Sequence, residues 1–436
     1  MMADHANTYK NKTPKSAKAF ARSSKLHING VSHNIRFFEP YPFVVKESSG
    51  SELVDVDGNR YADYWMGHWC LILGHNNARV RKAIKEQIDI GWMYGTVNEQ
   101  TLKLSDIISR AVRTAEKIRY TASGTEAVMY AARLARSHTK RNIMAKIDGG
   151  WHGYASDLLK SVNWPFDESE SDGMLDESRI VSLPYNNLEE SLAILSKCKN
   201  DLAGVVLEPL LAGAGGIPGD SEYLRGIQEF VCKNDSLFIL DEIVTGFRFR
   251  FGTLGDEMNL DPDIVTLGKI IGGGLAIGAI CGKDHIMSKS KARQRSDRTY
   301  IGGGTFSANP ASMISGCETL KAIRSRRAIY SKLDAMGVRA RRSIAKILGS
   351  AAIVTGKGSL FMTHFANNGI DKVTNATEAA MCDTDMLFKY HFKMMAENGI
   401  FFLPGKMGSL SDAHSASDIK DVLKATDEFA SEVAMR

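Results

Sequence analysis

The stretch DIVTLGKIIGGGLAIG, Asp263–Gly278, sets a single basic residue, Lys269, between a β-branched apolar run and a cluster of glycines. Burying a long charged side chain is costly unless something nearby uses it. The run DIVTL reads as a strand, so Lys269 follows a strand end. Upstream, SLFILDEIVTGFR has the same form: the apolar run Leu237–Leu240 is a buried strand with Asp241 at its C-terminal end. Working outward from about residue 100 to 310, the runs NIMAKID, AGVVLEP, SLFILDE, DIVTLG and AIGAICG alternate with helical stretches. That alternation predicts an α/β fold with a mostly parallel, doubly wound sheet. In such sheets ligands collect at the C-terminal edge of the strands.

The flanks add smaller pieces. SELVDVDGNRYADYW, 51–65, predicts a hairpin turning at Asp57-Gly58, where glycine permits a positive φ. Ile329, Leu333, Met336, Ala340, Ile344 and Ile347 recur at helical spacing and lead out of the alternating region. The last hundred or so residues predict a small α/β unit: a helix over DMLFKYHFKMMAENG stopped at Asn398-Gly399, a short strand in IFFLP, and a closing amphipathic helix over SDIKDVLKATDEFASEV. The expected organisation is an N-terminal segment (1–75), a large domain (76–325) and a small C-terminal domain (326–436). The acidic, aperiodic stretch NWPFDESESDGMLDES, 163–178, reads as a solvated loop or a mobile lid. No internal repeat is visible.

Composition excludes several classes. The 436 residues carry a net charge of +5, too small to call for nucleic acid or a membrane surface as partner. No apolar stretch is long enough to span a bilayer. Six cysteines lie far apart with no C-x-x-C pair, which predicts free thiols in a reducing, cytoplasmic compartment. The basic N-terminal stretch YKNKTPKSAKAFARSSK is richer in lysine than a transit peptide, and reads as a helix lying on the protein or on a partner subunit.

The chemistry rests on a few residues in a fixed order. In TASGTEAVMYAARLAR, Ser123 and Glu126 fit a capping box, and Ser123, Gly124 and Thr125 place hydroxyls and free amides where a helix start can hold a phosphate. Trp151, in GGWHGY, supplies an aromatic face or a piece of core. Asp241 is a helix cap, a salt-bridge partner, or the counter-ion of a protonated ring nitrogen. Lys269, desolvated and near a cationic ring, would become a usable nucleophile. Phosphate cup, aromatic, carboxylate and lysine together are the groups by which an enzyme holds pyridoxal phosphate.

The chain resembles the class III, fold-type I pyridoxal-phosphate aminotransferases, and among them the glutamate-1-semialdehyde aminomutases. The likeness is carried by LVDVDGNRYADYW, LILGH, SGTEA, LPYNN, DEIVTGFR, LGKIIGGG and GGGTFSANP. It implies a large domain with a mostly parallel sheet and a smaller C-terminal α/β domain. It implies that Lys269 carries pyridoxal 5′-phosphate as a Schiff base and later moves the proton, with the pyridoxamine form in the cycle. Asp241 would pair with the ring nitrogen, Ile243 would pack on the ring, and Trp151 and His152 would lie beside it. Ser123, Gly124 and Thr125 would hold the phosphate, with Thr305 reaching it from the other subunit of a homodimer whose active site lies at the interface. Arg36, in SHNIRFF, would bind the carboxylate of a small amino or carbonyl substrate, with His33 and His68 beside it.

The chain departs from the aminomutase pattern around that substrate. His33 stands in HNIR where the pattern has SPVR, and His68 stands in MGHWCL at the tryptophan position of GSWGPM. Gly213 takes the asparagine position of EPVAGNMG, and PGKMGSLSDAH shortens PSQFEAGFLSTAH by a segment holding a glutamate. The acidic stretch replaces a glycine-rich loop. Two readings therefore stand together: an aminomutase, and an aminotransferase or racemase with another substrate. A nicotinamide dehydrogenase is excluded because GGGLAIG lacks the G-x-G-x-x-G spacing. A silent homologue would have no use for Lys269. His68, His75, His152 and His414 fall in no metal-ligand spacing, so no metal is expected.

Overall fold

The computed structural model describes residues 2–166, 179–291, 298–367 and 369–434. The predicted apolar runs are strands: Leu202–Leu207, Leu237–Asp241, Ile264–Gly268 and Gly278–Gly282 consist wholly of buried residues. Such runs lack alternation because both faces of the sheet are covered. The sheet has seven strands in the spatial order Lys117–Thr121, Gly278–Gly282, Ile264–Gly268, Leu237–Asp241, Leu202–Leu207, Ile143–Ile147 and Ile180–Leu183. From Ile264–Gly268 to Ile180–Leu183 every neighbour pairs parallel. Gly278–Gly282 runs antiparallel to both of its neighbours. The cause lies in the quoted stretch. Only the 3-10 turn Lys269–Gly272 and a few further residues separate Gly268 from Gly278, whereas a parallel crossover needs a dozen or more residues.

The helix Gly124–Thr139 lies on this sheet through Ala127, Val128, Ala131, Leu134 and Ala135, which share a core with Ile239, Ile264 and Ile280. The N-terminal hairpin forms as predicted: Glu52–Asp55 and Arg60–Asp63 pair antiparallel, and Gly58 has φ 95°. Its turn is held by the Asp55 carboxylate, which accepts from the backbone N–H of Asp57 (2.9 Å) and Asn59 (2.8 Å).

The C-terminal strand departs from expectation in one respect. Only Ile400–Phe401 of IFFLP is extended, and it pairs parallel with Arg60–Asp63 of the N-terminal hairpin. The separate C-terminal sheet is built instead from Ala352–Thr355, Leu360–Phe365 and Gly408–Ser409. Helices Ala328–Leu348, Thr384–Asn398 and Ala416–Ala434 surround it, and Gly399, at φ 63°, ends the second of them.

The basic N-terminus folds into helices Met2–Lys12 and Pro14–Ser23. The first docks on Thr384–Asn398. His5 Nδ1 lies 2.5 Å from Glu397 Oε1, and Lys12 Nζ donates to the Ala396 carbonyl at 2.8 Å. Of the acidic stretch, residues 167–178 lie outside the described residues.

Three histidines are buried around the C-terminal sheet. His391 stacks on Phe402 with ring centroids 4.7 Å apart, and its Nδ1 accepts from the Gly405 N–H. Burial pushes its pKa down to about 3, and those of His364 and His414 down to about 4. The unfolded chain binds protons to these rings near pH 6.5, and the folded protein refuses them until lower pH. Stability is therefore full above about pH 6.5 and falls as the pH drops from there towards 4. Denaturant unfolding at a series of pH values should show this slope. His391→Phe should flatten it between about pH 6 and 4, and an unchanged slope would count against this assignment.

Candidate active site

Parallel pairing of Leu237–Asp241 with Ile264–Gly268 sets Asp241 opposite Thr266, so Lys269 emerges beside it at the same sheet edge. Asp241 is 4% exposed, and its carboxylate is held from three sides. Oδ1 accepts from Thr266 Oγ1 and from the Ile243 N–H, each at 3.1 Å. His152 Nδ1 lies 2.8 Å from Oδ2. Burial lowers the His152 pKa although Asp241 opposes the shift, so the neutral ring donates Nδ1–H to the carboxylate. The other ring nitrogen, Nε2, is buried without a partner among the described residues.

Lys269 begins the tight turn after its strand and has φ 46°, a left-handed conformation that is uncommon outside glycine. Burial lowers the pKa of its amine, while Cys70, Asp241 and Glu208 pull the other way. Its Nζ lies 6.0 Å from the centre of the Trp69 ring. A lysine so placed has a larger share of free amine at neutral pH than an exposed one.

The helix Gly124–Thr139 starts at the same edge. Ser123 caps it, its Oγ accepting from the Glu126 N–H at 3.3 Å. The predicted capping box closes one residue early, since the Glu126 carboxylate accepts from the Ala122 N–H at 2.9 Å. Ile243 packs between this helix start and the lysine turn. A Cβ placed on Gly124 would lie 3.1 Å, and one on Gly268 3.0 Å, from Ile243 Cδ1. A Cβ on Gly278 would lie 2.1 Å from the Ser123 carbonyl oxygen, so glycine there lets the helix start pass close to the strand Gly278–Gly282, the neighbour of the lysine strand.

Over the edge lies a set of rings. Residues Met66, Gly67, His68 and Trp69 have φ of 46°, 60°, 61° and 65°, one turn of left-handed helix. Left-handed backbone costs roughly 1–2 kcal/mol for each residue other than glycine, so tertiary contacts must hold this turn. The Asp63 carboxylate accepts from the N–H of Trp65 and Met66, and Trp69 Nε1–H donates to the Met407 carbonyl at 2.8 Å. Ring centroids then connect Trp65 to His68 (4.5 Å), His68 to His33 (5.8 Å), His33 to Tyr154 (6.3 Å) and Tyr154 to Trp151 (4.9 Å). His33 Nδ1 accepts from the Ile35 N–H at 3.3 Å, which leaves its proton on Nε2. Burial, then the charges of Arg36, His33 and Lys269, push the His68 pKa down to about 4. Arg36 is exposed, and its guanidinium donates to Ser32 Oγ at 2.9 Å.

The structure thus brings Lys269, Asp241, His152, Ile243, Ser123, Gly124 and Thr125 to one sheet edge, with Trp151, His33, His68 and Arg36 around its mouth. Thr125 reaches the same region, the Tyr154 N–H lying 3.4 Å from its Oγ1. Gly213 faces Trp151: a Cβ added there would lie 3.3 Å from Trp151 Cβ. Thr305 is exposed and lines a cavity of about 410 Å³ with residues 93–96, Asn98 and residues 307–310.

Several neighbours were not singled out from sequence. Glu208 is 4% exposed and accepts from the N–H of Trp151 (3.1 Å) and Ala212 (3.2 Å). Burial and the Asp241 carboxylate push its pKa up to about 8. It directly follows the strand Leu202–Leu207, so the reasoning that found Asp241 could have found it. Tyr154 and Trp69 flank residues that were named. Thr266 carries no signal until the strand register is known.

The site's chemistry suits pyridoxal phosphate: a helix start with hydroxyls for a phosphate, a lysine for an aldehyde, and a buried carboxylate for a protonated ring nitrogen. The buried, unpartnered His152 nitrogen marks polar surface at the same place. Comparison with known proteins agrees. The family model for aminotransferase class-III matches residues 37–407. A glutamate-1-semialdehyde 2,1-aminomutase of Thermoplasma volcanium is 36% identical over 428 residues, spanning 96% of this chain and 99% of its own. A solved transaminase with PLP bound is 28% identical with a TM-score of 0.88, covering 97% of this chain and 98% of its own. A β-phenylalanine aminotransferase from Variovorax paradoxus is 26% identical with a TM-score of 0.89, covering 99% and 97%.

Asp241→Asn keeps the size of the side chain and removes its charge. Turnover should fall by roughly 10²-fold or more, and cofactor should be lost more readily on dialysis, while the far-ultraviolet dichroism stays that of the wild type. Thr266→Val, which removes one hydrogen bond to the same carboxylate, should cost far less. Equal losses in the two variants would show that the charge is not what matters.

Proposed function

The chain belongs to the class-III aminotransferase family, and on that premise we propose that it moves an amino group on glutamate-1-semialdehyde, as a 2,1-aminomutase. It is a pyridoxal-phosphate enzyme. When bound, the cofactor supplies an electron sink for the carbon that carries the amine. Lys269 would hold the aldehyde, and its Nζ would carry the proton at that carbon. Asp241, held by Thr266, Ile243 and His152, would keep the ring nitrogen charged. Ser123, Gly124 and Thr125 would hold the phosphate, and Ile243 and Trp151 would flank the ring. Arg36 takes the substrate carboxylate. The observation that carries this reading is the adjacency of Lys269 and Asp241 on neighbouring strand ends, beside a capped helix start. The aminomutase as substrate choice is supported by the full-length likeness to proteins of that name.

A second reading, an aminotransferase or racemase with a different amino or carbonyl substrate, is favoured by one observation. His33 and His68 stand 5.8 Å apart, in neutral-ring settings, where the aminomutase pattern has serine and tryptophan.

The working form in this proposal is a cytoplasmic homodimer. Among the described residues no helix is long and apolar enough to cross a membrane. Ile90, Trp92, Val97, Leu102, Tyr300 and Phe306 are exposed apolar side chains. Asn98 ties two of these segments together by donating to the Ala308 carbonyl at 2.9 Å. A patch of this kind marks an interface, and Thr305 lies within it, where it can serve a partner's phosphate.

Two measurements test the proposal. Protein loaded with pyridoxamine phosphate and given glutamate-1-semialdehyde without a keto acid should form 5-aminolevulinate over many turnovers. No product, from protein whose pyridoxal form still accepts amine from other compounds, would favour the second reading. Trp92→Glu combined with Phe306→Glu should sediment as a monomer and retain cofactor poorly; a stable dimer would displace the interface from this patch.

A further inference from the structure

Arg248 lies in the predicted motif DEIVTGFR, and the chemistry above makes no use of it. It is 1% exposed, and among the described residues no carboxylate pairs with it. A buried charge needs a counter-ion or hydrogen bonds in its place, and each of the three nitrogens of the Arg248 guanidinium donates at least one. Its Nε–H donates to the Val244 carbonyl at 3.2 Å. One terminal nitrogen donates to Ser359 Oγ (3.2 Å), in the turn that leads into the strand Leu360–Phe365, and to Ser409 Oγ (3.1 Å), on the strand Gly408–Ser409 of the C-terminal sheet. The other donates to the Trp69 carbonyl, at the end of the left-handed turn.

One planar fork therefore joins three parts of the chain: the segment that follows Asp241, the C-terminal sheet, and the turn Met66–Trp69. That turn contains three residues other than glycine in left-handed backbone, and strain of this kind persists only where surrounding contacts determine it. It also carries Trp69, whose ring covers the Lys269 amine, and His68, which faces His33. Arg248 has a second route to the same amine, since its charge opposes protonation of Lys269 while Cys70, Asp241 and Glu208 favour it.

We propose that Arg248 is a positioning residue: its guanidinium pins the left-handed turn Met66–Trp69 over Lys269, and so fixes the aromatic cover of the lysine and the placement of His68 in the substrate pocket. The proposal rests on the family's use of Lys269 and not on the choice of substrate. It distinguishes arginine from lysine, because an ammonium group cannot reach Trp69, Val244 and both serines with one rigid fork.

The test compares Arg248→Lys and Arg248→Met with the wild type. In cofactor-free protein, the pH profile for acetylation of Lys269 by acetic anhydride is followed by peptide mass mapping. The midpoint should move upward in Arg248→Met, because the opposing charge and the ring cover are both lost. Arg248→Lys keeps the charge and should move it less. In cofactor-loaded protein, both variants should raise KM for 5-aminolevulinate, by roughly 10-fold to 10²-fold, with a smaller fall in kcat. Folded variants with a wild-type midpoint and a KM within about twofold of wild type would overturn the proposal, leaving Arg248 as packing alone. Should neither variant fold, the double variant Ser359→Ala with Ser409→Ala keeps the guanidinium and frees one arm. A raised KM there supports the proposal, and an unchanged KM with an unchanged midpoint overturns it. Wild-type protein inactive on 5-aminolevulinate would defeat the substrate reading instead, and the Lys269 profile would then decide the role of Arg248.

Discussion

The hydrogen bond from the Thr266 hydroxyl to the Asp241 carboxylate, 3.1 Å long, is buried, and much of the candidate active site follows from the pairing that creates it. It exists because two all-apolar strands lie parallel in one register, which brings a carboxylate and, three residues further along the neighbouring strand, a lysine to the same edge. Neither group would be stable there alone. Asp241 is offset by three donors, and Lys269 sits where burial weakens its hold on a proton while Asp241 and Glu208 keep it from losing that proton altogether. The sheet thus supplies position, and low polarity supplies reactivity.

Glycine makes the close approach possible at a few points. Gly278 lets the Ser123 carbonyl pass where a Cβ would clash, so the helix start lies against the strand Gly278–Gly282, the neighbour of the lysine strand. Gly124 and Gly268 leave room for Ile243 between them. The other half of the site is built differently. A left-handed turn, unfavourable in itself, is held by Asp63, Met407 and Arg248, and through it Trp69 and His68 are aimed at the lysine. In the proposed reading, cofactor chemistry rests on regular sheet geometry, and substrate contact rests on strained, over-determined backbone.

That division also explains what could be read from the sequence. The strands, the hairpin at Gly58, the helix stop at Gly399 and the edge residues Asp241 and Lys269 were all legible, because apolar runs and glycine punctuation are local signals. The reversal of Gly278–Gly282 was not anticipated, although the brevity of the connection through Lys269–Gly272 encodes it. Nor was the docking of Ile400–Phe401 on the N-terminal hairpin, which depends on a partner some 340 residues away in sequence. Among site residues, Glu208 repeats the pattern that gave Asp241 away. Arg248 could not be separated from an ordinary surface arginine until its burial and its contact with Trp69 were seen.

The most direct test of the central claim is to reduce the cofactor-loaded protein with borohydride, digest it, and map the cofactor-bearing peptide by mass spectrometry. Attachment at Lys269, lost in Lys269→Ala, is the predicted result. A cofactor fixed to any other lysine, or visible absorbance that survives Lys269→Ala unchanged, would contradict the assignment of this sheet edge as the active site.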